Sequence, residues 1–217
     1  MSGVRRIFVV RHGETAFNAA RVLQTPEVPL SERGRAQARR VAERLRAHPI
    51  ARVVASDLAR AVETAEAIRA ATGAPLSLDP LLRERDFGEL RGTAYADLAV
   101  DPFAPGFVPP GGEGVDVFHA RADAAWEAVA RGAEGASGDV VVVTHGLVCR
   151  AWVERVLGVA GDALARHAFA NTCVTEVAIE RPWRALRIAC AAHLEDAAGA
   201  PGAAGPALSA SRPGGRA

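Results

Sequence analysis

Short apolar runs rich in β-branched residues alternate along this chain with segments whose apolar positions recur every three to four residues. Arg6–Val10 (RIFVV) predicts a buried strand that ends at Arg11-His12-Gly13. Pro29-Leu30-Ser31 then opens a helix to about Ala47, with Ser31 as its N-cap and Ala38, Val41, Ala42 and Leu45 on one face. The arginines of that helix (Arg35, Arg39, Arg46) fall elsewhere on the wheel and read as a solvated face. A second strand is expected over Arg52–Ala55, then a helix through Thr72 closed by Gly73, then a short strand over Pro75–Leu78. Residues 80–92 carry no regular pattern, and the Pro- and Gly-rich stretch Val100–Gly114 predicts a loop or lid. A helix over Val117–Arg131, the strand Asp139–Thr144 (DVVVVT), a helix over Leu147–Leu157 and strands around Val174–Ile179 and Leu186–Ala189 complete the order.

Strands alternating with helices imply βαβ units, hence an α/β fold: a three-layer α/β/α sandwich with a mainly parallel sheet and a lid or insert region. No helix separates the last two strands, so an antiparallel edge is expected. Residues 1–195 read as one catalytic domain. Beyond Glu195 the composition collapses to Ala, Gly, Pro and Ser, which predicts a disordered tail over 196–217.

Composition narrows the chemistry. All 26 basic side chains are arginine, so a lysine Schiff base and a Walker-type phosphate lysine are both excluded. Anion chemistry must rest on Arg, His and backbone N–H groups. The net charge is +1 and the arginines are spread along the chain, which leaves no footprint for nucleic acid. No stretch approaches the ~18 continuous apolar residues of a bilayer span, and no signal peptide is legible, so a cytoplasmic protein is expected. Cys149, Cys173 and Cys190 lack C-x-x-C spacing and read as small core residues, and no His/Cys cluster has zinc-ligand spacing. Neither a metal nor a cofactor is expected. A homodimer is left open, since no helix face reads as an exposed apolar patch.

Ligands in open α/β sheets bind at the carboxyl ends of the strands. Two strand ends present His-Gly, at His12-Gly13 and His145-Gly146, and a third presents Ser56-Asp57 followed one turn later by Arg60. A sheet that joins these strands gathers two imidazoles and two guanidiniums, Arg11 and Arg60, into an anion site. Glu14 and Asp57 read as helix-start or hydrogen-bonding residues, and His48, His119, His167 and His193 have no supporting context.

The segment Arg11-His12-Gly13-Glu14-Thr15-Ala16-Phe17-Asn18 closely resembles the signature of the histidine phosphatase superfamily, the phosphoglycerate-mutase-like fold. Further matches follow in family order: Pro29-Leu30-Ser31 with Gly34 and Gln37-Ala38; Ser56-Asp57-Leu58-Ala59-Arg60-Ala61 with Thr64-Ala65; Leu82-Arg83-Glu84 with Phe87-Gly88 and Gly92; Pro110-Gly111-Gly112-Glu113; and Val143-Thr144-His145-Gly146. The resemblance implies that His12 is a nucleophile that becomes phosphorylated. It implies further that Arg11, Arg60 and His145 hold the phosphoryl oxygens, that Asn18 and Gln24 line the pocket, and that Glu84 gives a proton to the leaving oxygen without help from a metal. Where the family often shows Gly-Arg-x-Gln-Gly, this chain reads Arg21-Val22-Leu23-Gln24-Thr25, and Gly-Gly-Glu-Ser becomes Gly112-Glu113-Gly114.

A mutase of this family grips a second anionic group with basic residues in a longer insertion. From Thr93 through Ala120 this chain has no Lys or Arg, and it offers Phe103, Phe107 and Phe118 instead. The expected activity is therefore hydrolysis of a small phosphorylated metabolite, with an uncharged or partly apolar leaving group. A phosphoglycerate mutase and a non-catalytic phosphate-binding homologue are the alternatives.

Overall fold

A computed structural model describes residues 4–195; the tail expected to be disordered, 196–217, lies outside them. The strands are β1 (Arg6–Arg11), β2 (Ile50–Ala55), β3 (Leu76–Leu78), β4 (Asp139–Thr144), β5 (Val174–Ala178) and β6 (Ala185–Cys190). The helices are α1 (Ala16–Ala20), α2 (Glu32–Arg46), α3 (Ala59–Thr72), α4 (Val115–Glu134), α5 (Gly146–Arg155) and α6 (Gly161–Ala165). The six strands form one sheet in the order β3-β2-β4-β1-β5-β6. β3, β2, β4 and β1 are mutually parallel, and β5 runs against both β1 and β6. The antiparallel pairing thus lies at the expected end of the sheet.

Alternating residues of the central strands feed two separate cores. Ile7, Val9, Val140 and Val142 pack with Phe118, Trp126, Val148 and Trp152 from α4 and α5. Phe8, Val10, Val141 and Val143 pack with Val41, Leu45, Ala61 and Ile68 from α2 and α3. Both faces of the sheet are covered, which is why β1 and β4 read as unbroken apolar runs rather than as alternating ones. The architecture is the expected α/β/α sandwich. Among the described residues no helix is long and apolar enough to cross a membrane.

Two short helices escaped the sequence reading. α1 and α6 span five residues each, too few for a hydrophobic period to register. α1 did carry a local signal, because the Thr15 side chain accepts from the Asn18 N–H while the Asn18 side chain accepts from the Thr15 N–H. α4 starts two residues before its expected position and runs to Glu134, since Gly114 rather than a side-chain cap opens it. Ser31 caps α2 as expected, accepting from Gly34 N at 3.0 Å.

The loop after β1 lies directly on the start of α2. A Cβ at Gly34 would stand 1.9 Å from the Glu14 carbonyl oxygen, so only glycine permits this approach. Gly34→Ala is expected to destabilise the fold by roughly 1–3 kcal/mol, through overpacking that flexible side chains cannot relieve. Thermal melting of the variant checks this.

Candidate active site

Register brings the three strand ends together. Arg11 pairs with Thr144 across β1 and β4, so His12 and His145 emerge side by side. The His12 N–H donates to the Thr144 carbonyl at 2.9 Å, and the Ser56 N–H donates to the Val143 carbonyl at 2.9 Å. The two imidazole centroids are 5.1 Å apart. His12 and His145, 1% and 0% exposed, are buried to a degree that ionisable groups reach only when their surroundings satisfy or neutralise them.

Hydrogen bonding fixes what each imidazole can do. His12 Nδ1 lies 2.7 Å from the Gly13 carbonyl oxygen. A carbonyl only accepts, so Nδ1 carries the proton and the Nε2 lone pair is left free. Burial, then Arg60 and Arg11, hold the His12 pKa well below the ordinary imidazole value, so the ring stays neutral. The same causes, burial first and Arg60 next, keep His145 neutral. His145 Nε2 lies 2.8 Å from Ser56 Oγ, which also accepts from the Leu58 N–H at 3.3 Å. A Ser56 hydroxyl proton directed at Nε2 would leave the ring proton on Nδ1, a buried atom without a protein partner. An anion is the acceptor that such a donor lacks.

The guanidiniums are held but not used up. Arg60 is buried and gives one N–H to the Thr25 carbonyl at 3.0 Å, with its Nε buried and unpartnered. Burial outweighs the nearby Glu84 carboxyl and pushes its pKa down to about 10, still fully charged at neutral pH. Arg11 gives one N–H to the Phe169 carbonyl at 2.6 Å and likewise keeps a buried, unpartnered Nε.

Glu84 closes the site from the loop between Leu82 and Phe87. Neither neighbouring arginine pairs with it. Arg83 instead holds Asp57, with 2.7 Å from Nε to Oδ1. Arg85 donates to the carbonyls of Pro102, Phe107 and Glu113, and so ties down the loop expected as a lid. Glu84 accepts from the Leu147 N–H at 3.1 Å and the Arg85 N–H at 3.2 Å. Burial raises its pKa, and the Leu147 bond and Arg60 only partly offset this, so the carboxyl holds its proton above the usual carboxylate range.

Asn18 and Gln24 also line the cavity, which has a volume of about 560 Å³. Asn18 Oδ1 accepts from Thr15 N and Asn171 Nδ2, which leaves its own amide N–H groups without a protein acceptor; Gln24 Oε1 takes the Thr15 hydroxyl at 2.7 Å. Of the site residues expected from the sequence, Arg11, His12, Asn18, Gln24, Arg60 and Glu84 line this cavity, and His145 lies buried beside His12. Glu14 bonds the Ser31 hydroxyl and pairs with Arg33, in keeping with a supporting role.

The sequence reading missed the turn before β5. Asn171 Nδ2 donates to the His12 carbonyl at 3.1 Å, and the Thr172 N–H reaches the carbonyls of Arg11 and His12. Phe169 and Thr172 sit at φ 44° and 58°, which side chains rarely adopt and which costs about 1–3 kcal/mol each. No motif marks these residues. Their contacts come from the β1–β5 pairing, over 150 positions away in sequence.

Three expectations need correction. His167, expected to be ordinary, lines the cavity, because the turn after α6 reaches it. Cys190, expected in the core, is half-exposed at the sheet edge beside Arg44 and Arg187, whereas Cys149 and Cys173 are buried. The absence of cations from the lid does not leave the cavity poor in charge. Arg21, Arg150 and Arg166, from other elements, line it, while Tyr95 and Phe103 represent the lid side. Among the described residues no group of three or more His, Cys, Asp or Glu side chains is arranged to hold a metal ion.

Comparison with known proteins agrees with this geometry. A glucosyl-3-phosphoglycerate phosphatase of Mycolicibacterium vanbaalenii is 37% identical over 175 residues, covering 73% of this chain and 77% of the relative. The protein named Probable phosphoglycerate mutase GpmB of Enterobacter sp. is 34% identical over 192 residues, 83% of this chain and 88% of the relative. Among solved structures, a mycobacterial glucosyl-3-phosphoglycerate phosphatase in complex with VO3 superposes with a TM-score of 0.73 at 27% identity, over 84% of this chain and 98% of the other. YhfR of Bacillus stearothermophilus gives 0.76 at 28% identity, over 87% and 98%. The family model of the histidine phosphatase superfamily, branch 1, matches residues 7–189, and this chain belongs to that family.

Proposed function

We propose that this protein hydrolyses small phosphate monoesters by double displacement, with His12 as the nucleophile, Glu84 as the proton donor and no metal. The observation that carries the reading is the locked tautomer of His12. Its Nδ1–H is committed to Gly13, and the ring, kept neutral by burial and by the charges of Arg60 and Arg11, leaves Nε2 free to attack.

In the first step Nε2 attacks phosphorus while Glu84 gives its proton to the departing ester oxygen. Arg11, Arg60 and the Nδ1–H of His145 take up the charge that spreads over the equatorial oxygens. Attack makes the His12 ring cationic, and the two negative charges of the bound group offset the arginine field that disfavours an imidazolium. In the second step ionised Glu84 takes a proton from water as it attacks the phosphohistidine, and phosphate leaves. The relatives named as phosphatases support this direction. Those named as mutases favour a second reading, in which the phosphoryl group returns to the substrate instead of to water.

Stereochemistry and products test the proposal together. Hydrolysis of an isotopically chiral phosphate monoester in EDTA is expected to proceed with retention at phosphorus, since two in-line displacements cancel. Inversion would require direct attack by water and would overturn the mechanism. Interconversion of 2- and 3-phosphoglycerate faster than release of phosphate would establish the mutase reading instead.

Ser56 acts here as a positioning residue, because it selects the His145 tautomer that can donate to the phosphoryl group. Ser56→Ala is expected to lower kcat/KM about tenfold, the worth of one hydrogen bond to a charged acceptor. Ser56→Thr, which keeps the hydroxyl, is expected to recover most of that loss.

A further inference from the structure

The Pro110-Gly111-Gly112-Glu113 turn at the end of the lid takes no part in the chemistry described above. It closes instead against the loop that carries Glu84. A Cβ at Gly112 would stand 2.5 Å from the Asp86 carbonyl oxygen, so only glycine permits the approach. Glu113 is thereby laid on Asp86. Its N–H donates to the Asp86 carbonyl at 2.8 Å, and the Asp86 N–H donates to Glu113 Oε2 at 3.0 Å.

Arg121, in the second turn of α4, joins this turn to Glu84. Its Nε and Nη2 donate to Glu113 Oε1 and Oε2 at 2.8 and 2.6 Å, a fork meeting a fork. Its Nη1 donates to the carbonyls of Leu81 and Arg83 at 2.9 and 2.7 Å, and Nη2 also reaches the Glu84 carbonyl at 3.1 Å. Burial works against the Glu113 carboxylate, but Arg121 and the Asp86 N–H hold its pKa below the ordinary value, so the pair stays charged near neutral pH. Irregular backbone must find donors outside itself for its carbonyls, and Arg121 supplies three of them along the Glu84 loop. The Glu84 carboxyl itself accepts only from the Leu147 N–H and from the N–H of its neighbour Arg85. Its place therefore follows from where the backbone is held.

We infer that Arg121, clamped by Glu113, is a positioning residue that aims the Glu84 carboxyl at the leaving oxygen. The inference rests on the phosphatase proposal and adds to it a pair from the lid and α4 that touches no reacting atom. The charges that act on the Glu84 carboxyl are those of Arg60 and Arg11. Arg121 thus works through the carbonyls it holds and not through its field on the acid. A general acid must lie within hydrogen-bond reach of its target, and a shift of about 1 Å can cost about a hundredfold in rate.

Two substrates on one ring test it, because phenolate needs a proton to leave and p-nitrophenolate does not. Arg121→Gln is expected to slow turnover of phenyl phosphate about tenfold or more. Single-turnover release of nitrophenolate from p-nitrophenyl phosphate is expected to stay within about threefold of the unsubstituted protein. The amplitude of that release counts folded sites; should Arg121→Gln show none, Glu113→Gln, which keeps the shape of the partner, carries the same test. Arg121→Lys is expected to recover little, since an ammonium cannot reproduce the fork. In a Glu84→Gln background Arg121→Gln is expected to cost phenyl phosphate turnover less than about threefold more, because the group it aims is already gone. Equal slowing of both substrates, full recovery with Lys, or a further tenfold loss in the Glu84→Gln background each overturns the inference. So does phenyl phosphate turnover that Arg121→Gln leaves unchanged while Glu84→Gln slows it, and the phosphatase proposal then stands. If the unsubstituted protein turns over p-nitrophenyl phosphate but not phenyl phosphate, there is no working acid to aim and the inference falls. Failure to turn over either compound defeats the phosphatase proposal, and the inference with it.

Discussion

His12→Ala is expected to lower kcat on every phosphate monoester by at least about 10⁴-fold, the scale on which loss of a covalent nucleophile is felt when the remaining groups still bind substrate. Binding should outlast the chemistry, because Arg11, Arg60 and His145 remain to hold a phosphoryl group, and inorganic phosphate should still protect the variant against heat. Steady-state assays of the purified variant check the loss of rate, and thermal melts with and without phosphate check the retained site. A variant that keeps more than about one part in a hundred of the rate would place the nucleophile elsewhere.

The second large effect is expected at Glu84, where the loss depends on the substrate. A carboxyl poised as general acid contributes about 10²–10⁴-fold, so Glu84→Gln should slow hydrolysis of alkyl phosphates by that factor. p-Nitrophenolate leaves without a proton, so its release should stay fast for one turnover and then stall. Dephosphorylation needs the same group as a base, and glutamine cannot serve. The expected record is a burst of one nitrophenolate per enzyme followed by slow turnover.

The pH profile follows from the same two groups. Phosphorylation requires His12 neutral, a condition lost as pH falls through its pKa, which burial and the arginines have lowered below 6.5. It also requires Glu84 protonated, a condition lost as pH rises through its pKa, which burial has raised above 4.5. The shifts move the two limbs in the directions that widen the overlap, so activity on alkyl phosphates should peak on the acidic side of neutrality. Glu84→Gln should abolish the alkaline limb and leave the acid limb of His12 in place.

Much of this site is legible in the sequence because its pieces sit where local pattern is strongest. RIFVV and DVVVVT are buried on both faces, so their apolar runs point to parallel strands, and the residues that end them fall at the carboxyl edge of the sheet. The order of motifs then leads to Arg60 and Glu84. What escaped reading depends on partners far apart in the chain. Asn171 and Thr172 matter through the β1–β5 register, and Ser56 matters through a histidine 89 positions away. That Arg21, Arg150 and Arg166 all reach one cavity depends on how α1, α5 and α6 are placed in the fold, and no window of sequence encodes that. The lid lacks cations, but the charge of a cavity is set by every element that walls it.

The covalent role of His12 is tested most directly by trapping the intermediate. Glu84→Gln mixed with p-nitrophenyl phosphate and quenched in alkali during the burst should carry one phosphoryl group, stable to base and labile to acid, on Nε2 of His12 when the protein is mapped by mass spectrometry. A burst with no phosphoryl group on the protein, or with that group on His145 or any other residue, would contradict the account.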